Sequence, residues 1–434
     1  MSFQQGLSGL NSAAKNLDVI GNNIANASTV GFKSSQAQFA DVYAASLSGA
    51  GANSIGIGTK LAAVAQQFTQ GNISVTNNPL DVAINGTGLF RMSNNGAISY
   101  TRNGQFQLNK DGYIVGNTGL HVTGFQMKNG ALTGELGDLK IDTADIKPNA
   151  STRMDMTANL DSRKTVPVAP FPAALTAVVP ATVPPTYVPP DPTMYNDSTS
   201  LTIYDSLGNS HVASIYFSKN AAANTWDVNM IVDGGQYNAA ANTVQNLGQL
   251  VFDTNGKMTA PAGPPVGMTA VIPLQWDNTI TGVDWDVAQS MTLYFGGVTQ
   301  FGSNFGVTAL TQDGFASGRL SGFNIDPEGF IQGRYTNGQT KTMGQIAVAS
   351  FTNSQGLKPL GGNQWVESPE SGQPVVGKPG SGNMGVLQSA AVEDSNTDLT
   401  QELVIMITAQ RVYQANAQTI KTQDQVLQTL VNLR

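Results

Sequence analysis

The sequence predicts a mixed, mainly β chain in which two nested antiparallel β domains are inserted between N- and C-terminal α-helices that pair as a coiled coil. Three observations predict it. Both ends carry apolar residues at alternating steps of four and three, the spacing of a helical seam. Asn-Gly and Asp-Gly dipeptides recur every eight to ten residues or so between short apolar runs, the signature of hairpins. The two hairpin-rich stretches are separated by a third with its own strand signals, so one β domain is set inside the other.

The first helix is predicted over residues 1–30. Ser2 with Gln5 forms a capping box on paper. Phe3, Leu7, Leu10, Ala14, Leu17 and Ile24 then share one face, thickened by Ile20. The pattern fades at Asn26, and Gly31 supplies a stop. Residues 31–71 are rich in Ser, Ala and Gly, as in Ser48-Gly49-Ala50-Gly51, and read as a connecting arm.

Residues 72–149 and 318–380 are expected to form the inner β domain. Asn85-Gly86, Asn95-Gly96, Asn103-Gly104, Asp111-Gly112 and Asn337-Gly338 supply the positive φ angles of its turns. Residues 150–317 are expected to form the outer one, with strands near Ser200–Tyr204, Val212–Phe217, Trp226–Val232 and Met291–Phe295. It opens on an insert, 166–192, that holds nine of the chain's 20 prolines. Proline lacks the N–H a central strand needs, so this segment is expected outside the sheets.

The second helix is predicted within residues 381–434, from about 396. Ser395 and Asp398 are its capping residues, and Leu399, Leu403, Met406, Tyr413, Ala417, Ile420, Leu427 and Val431 form its stripe. Each striped helix needs an apolar partner, and each is the other's nearest one. The assembly residues expected from this are Phe3, Leu7, Leu10, Leu17, Ile24, Leu399, Leu403, Met406, Tyr413, Ile420 and Leu427.

Composition narrows the function. Only 12% of residues are charged, about half the ~25% of an ordinary soluble domain. Such a surface approaches copies of itself with little like-charge repulsion. A net charge of −7 without basic clusters argues against nucleic acid. The absence of cysteine removes disulfides, thiolate metal sites and cysteine nucleophiles. The N-terminus has no basic and apolar leader pattern, and no apolar run reaches the ~20 residues of a membrane span, so neither a cleaved signal nor membrane insertion is expected, and any export uses a route that needs no such signal.

No catalytic, metal-binding or cofactor-binding set assembles on paper. His121 and His211 lack partners at useful spacing and read as structural. Gly380-Ser381-Gly382-Asn383-Met384-Gly385 matches a dinucleotide fingerprint in letters but follows prolines rather than a strand. Carboxylates cluster at Asp284-Trp285-Asp286 and at Glu393-Asp394; the first cluster, near Trp276, reads as a solvated strand edge rather than a sugar-binding surface.

Three stretches resemble a known family. Asn22-Asn23-Ile24-Ala25-Asn26-Ala27-Ser28-Thr29-Val30-Gly31-Phe32-Lys33 is similar to the N-terminal signature of the flagellar rod and hook proteins. Glu402 to Arg411, with Tyr413-Gln414-Ala415-Asn416-Ala417, resembles their C-terminal signature, and Thr101-Arg102-Asn103-Gly104-Gln105-Phe106 fits their middle. Within that signature Asn22, Asn23, Ala25, Asn26, Gly31, Phe32 and Lys33 are the residues carried over. The resemblance is greatest to hook subunits, because rod subunits typically lack a large outer β domain. It implies a helical homopolymer, a curved flexible tube carrying torque from rod to filament. It also implies rod, hook-cap, hook–filament junction and export proteins as partners. The alternatives are a distal rod subunit and, from another class, a secreted β-rich adhesin or carbohydrate-binding protein.

Overall fold

The structure, a computed structural model, describes residues 2–43, 56–128, 131–176, 187–235, 244–260, 272–275 and 288–432. By its packing the chain divides into two units: residues 1–143 with 321–334 and 340–434, and residues 144–320 with 335–339.

The first unit holds both terminal helices, α1 (Ser2–Ala25) and α2 (Leu399–Asn432), which pack together. Glycine costs about 1 kcal/mol relative to alanine in a helix interior, and α1 carries Gly6, Gly9 and Gly21. Isolated helices of this kind are marginal in water, so packing must hold α1 in place. Gln5 does not turn back as the capping box expects: its side-chain amide donates instead to the Gly56 carbonyl at 2.7 Å. At the other helix Asp398 caps as expected, accepting from the Thr400 and Gln401 N–H groups.

The connecting arm is more ordered than its composition suggests. β1 (Ser35–Tyr43) and β2 (Gly56–Gln66) pair antiparallel and lie along α1, with Ser12 and Thr59 hydroxyls 2.8 Å apart. Its small residues have weak β propensity, and contact with α1 supplies what propensity lacks. Ser48–Gly51 falls outside the described residues.

The β part of this unit is built from both halves of the chain. Leu89–Asn94 pairs with Ala97–Thr101 across Asn95-Gly96, and His121–Lys128 pairs with Thr340–Ile346. The returning chain then adds Val386–Ser389 to Val82–Asn85 and Ala391–Glu393 to Ile73–Val75. Residues 381–398, assigned by sequence to the helical terminus, are therefore strand and loop. Their alternating short apolar pairs, Val386-Leu387 and Ala391-Val392, carry too little periodicity to separate from a helix approach.

In the second unit a five-stranded antiparallel meander runs Asp197–Tyr204, Ser210–Lys219, Thr225–Val232, Gln245–Phe252 and Met258–Ala260. The other sheet is not purely antiparallel. Arg153–Asp161 pairs in parallel with Ala288–Tyr294 and Thr299–Phe301, and antiparallel with Gly306–Gln312. Parallel pairing needs a long crossover, which the intervening meander provides. Met154, Met156 and Leu160 meet Ile215, Phe217, Trp226, Val228 and Met230 in one core. The described part of the proline-rich insert lies on the outer face of the meander, where Phe171, Leu175 and Tyr187 pack with Tyr216, Ile231 and Val244.

Candidate assembly interface

Heptad arithmetic locates the α1–α2 seam one residue away from the stripe read off the sequence. The least exposed positions of α1 include Gly6, Ala13, Ile20 and Asn23. With Gly9 and Asn16 they form an unbroken three–four series. A β-carbon at Gly9 would stand 2.7 Å from the Asn416 side chain, and one at Gly6 would stand 3.1 Å from Ile420. Small residues thus let the backbones approach closely, and Ala409 is the buried position of α2 among its described side chains.

The predicted stripe lies beside this seam. Phe3, Leu7, Leu399, Leu403 and Leu427 are exposed by 44–49%, and Tyr413 by 37%. Leu10, Leu17, Ile24, Met406 and Ile420 are half-buried. Only Ile420 among these is placed in the seam by a close contact, against Gly6. Val404, Ile407, Val412, Val426 and Val431 widen the exposed apolar surface of α2. Among the described residues no helix is long and apolar enough to cross a membrane.

The signature residues form a second focus where the helices join the sheet. Asn23 is buried, bonds both ways with the Ser35 backbone, and donates to Glu402 Oε1 at 3.1 Å. It ties α1, β1 and the first turn of α2 together. The Asn26 amide donates to the Asn22 carbonyl at 2.9 Å. Gly31 takes φ +70°, and a β-carbon there would stand 2.5 Å from the Asn103 nitrogen, so only glycine fits. Ala25 ends α1 and is exposed, and Phe32 is half-buried.

Lys33 is buried. Its ammonium donates to Glu393 Oε1 and to the Thr69 carbonyl, each at 2.6 Å. Arg102 holds the other carboxylate oxygen through Nε at 2.5 Å, and its remaining nitrogens donate to the carbonyls of Ile84, Gly86 and Gly88. The Gly71 N–H completes the carboxylate's shell at 2.9 Å. Burial alone pushes the Glu393 carboxyl up, but the Arg102 and Lys33 charges and their hydrogen bonds outweigh it and hold it below the ordinary range. Burial pushes the Lys33 ammonium down, and the carboxylate it shares with Arg102 does not restore it. Sequence offered half of this cluster, since Lys33 and Arg102 sit in recognisable motifs. Glu393 stood out only as a carboxylate beside Asp394, and its role was hidden because its partners are 291 and 360 residues away.

Other sequence candidates fall elsewhere. His121 Nδ1 pairs with Asp138 and its ring stacks on Tyr113; His211 Nδ1 pairs with Asp233 at 2.8 Å. The Gly380–Gly385 loop closes on itself and leads into a strand, not a helix. Trp276, Asp284, Trp285 and Asp286 lie outside the described residues.

Comparison with known proteins covers nearly the whole chain. Residues 3–33 match the flagella basal body rod protein model, and 83–159 the flagellar hook protein FlgE/F/G D1 domain. Residues 159–315 match the flagellar basal body protein FlaE D2 domain, and 388–433 the flagellar basal body rod FlgEFG protein C-terminal model. The flagellar hook protein FlgE of Escherichia coli is 39% identical over 443 residues, covering 100% of both chains. That of Borreliella burgdorferi is 31% identical, covering 100% of this chain and 99% of its own. A crystal structure of Helicobacter pylori flagellar hook protein FlgE2 shares the fold with TM-score 0.51 at 16% identity, over 74% of this chain and 100% of that one.

Proposed function

Because the chain belongs to the flagellar hook protein family and is a structural subunit of the hook, we propose that it polymerises through the apolar surface its paired helices leave open. One observation carries this reading. The seam between α1 and α2 is filled mostly by small and polar residues, with Ile20 and Ile420 among them, while Phe3, Leu7, Leu399, Leu403, Val404, Ile407 and Leu427 remain exposed. Large apolar side chains left exposed along both helices mark an interaction surface. The partner is another copy of the same face, so burial between copies replaces burial within one.

In this reading residues 1–30 and 399–434 line the inside of a tube, 72–149 with 318–398 surround it, and 150–317 with the insert at 166–192 form its outside. The tube is curved and flexible and carries torque from rod to filament. Rod, hook-cap, hook–filament junction and export proteins are its further neighbours. The chain acts by assembly and catalyses nothing.

Electron microscopy of the purified full-length protein beside Leu7→Glu and Leu403→Glu tests this. Tubes from the parent, and folded particles of subunit size from both variants, are the expected result. Tubes of normal yield from both variants would overturn the assignment of the interface.

A further inference from the structure

The clasp around Glu393 has an electrostatic imbalance. Two cations, Lys33 and Arg102, are buried against one carboxylate that solvent does not reach. The carbonyls of Thr69, Ile84, Gly86 and Gly88 solvate the two heads but do not cancel the surplus charge. Taking an unmatched charge out of water is costly unless a counter-charge accompanies it. Lys33 has three N–H donors, and two are engaged within the chain among the described residues.

The same two cations line a cavity of about 450 Å³. Thr69, Thr87, Ser350 and Ser354 bring hydroxyl groups to its wall, and no carboxylate lines it. A wall of two cations, hydroxyls and no acid, in a chain whose net charge is −7, is selective for negative charge. We propose that this cavity binds an anionic oxygen group, a carboxylate or a phosphate, against Lys33 and Arg102. The occupant is supplied by free phosphate or by an acidic side chain of a neighbouring copy. The oxygens accept the spare Lys33 proton and the Thr69, Ser350 and Ser354 hydroxyls, and the ligand's charge balances the second cation.

Inorganic phosphate titrated into the full chain at constant ionic strength, followed by calorimetry, tests the site. Saturable binding is expected in the parent protein. Glu393→Gln leaves both cations unopposed and should tighten binding by about tenfold or more. Ser354→Leu fills the cavity without touching the clasp and should weaken binding by at least about tenfold, with circular dichroism unchanged. Lys33→Met should abolish saturation; if that variant does not fold, the other two carry the test. No saturable binding, or equal binding in the parent, Glu393→Gln and Ser354→Leu, would mean an adventitious ion only and would overturn the proposal.

Sedimented tubes distinguish the source. Phosphate retained by the polymer identifies the free anion as the ligand. Phosphate excluded from the polymer, and raising the protein concentration needed to assemble, identifies a neighbour's carboxylate. This arm alone rests on the assembly reading. If no tubes form, phosphate binding to the monomer still decides the site.

Discussion

Lys33 Nζ and Glu393 Oε1 lie 2.6 Å apart although 360 residues separate them, and solvent reaches neither side chain appreciably. The pair fastens the segment after α1 to the segment before α2, and Arg102 fastens both to the sheet. Removing one partner of a buried pair strands the rest, which costs about 3–5 kcal/mol. Glu393→Ala should therefore lower urea-unfolding stability by about that amount. A loss below ~1 kcal/mol would show that the site relaxes or hydrates on substitution.

The same carboxylate sets an acid limit. Its folded pKa lies below the ordinary glutamate value, so its contribution is complete above the unfolded pKa and is lost as pH falls through the folded one. Melting temperature should fall with pH in the range below ~4.5 in the parent protein, and fall less in Glu393→Gln. Parallel curves for the two proteins would contradict this.

At the alkaline end Tyr100 has the opposite sign. Burial, then the neighbouring Glu367 carboxylate, push its phenol up to about 12. The neutral form is the one the fold favours, so its contribution is present below the ordinary phenol value of 10.0 and is lost as pH rises towards about 12. Tyr100→Phe should flatten that part of the stability profile, and an unchanged slope would assign it to other groups.

Gly9 faces Asn416 across the helix seam. Gly9→Ala gains about 1 kcal/mol of helix propensity and meets the Asn416 side chain at 2.7 Å. The two effects oppose each other, so the single variant should be near neutral. Adding Asn416→Ala should release the gain, giving a coupling of about 1 kcal/mol in a double-mutant cycle. Strict additivity would place the contact elsewhere.

Leu175 carries the proline-rich insert onto the meander. Leu175→Ala should cost about 2–3 kcal/mol of the second unit's stability. Tubes should still form, and their curvature or stiffness is the property expected to change. Loss of tubes altogether would give the insert a role in assembly itself.

Much of this was legible in the residues. The helices, the hairpins at Asn95-Gly96, Asp111-Gly112 and Asn337-Gly338 and the nesting of one β unit within the other follow from periodicity and turn chemistry, whereas Asn85-Gly86 and Asn103-Gly104 join strands that do not pair with each other. The helix seam was not, because Gly6, Gly9, Ala13, Asn16 and Asn23 hardly register as an apolar pattern. The eye follows Phe3 and Leu7, which are exposed. The β1–β2 pair was missed for a related reason: its Ala, Gly and Ser content lacks the bulk that marks a strand. The burial of Glu393 depends on partners that no local window contains.

The pairing of Ala391–Glu393 with Ile73–Val75 also bears on when the chain can fold. Contacts spanning more than 300 residues pay their closure entropy before anything rewards it, and such topologies fold slowly. A chain emerging from the ribosome has no Glu393 to offer Lys33 until nine-tenths of it has been made. The pairing that closes the first unit across its two halves therefore cannot form until nearly the end of synthesis.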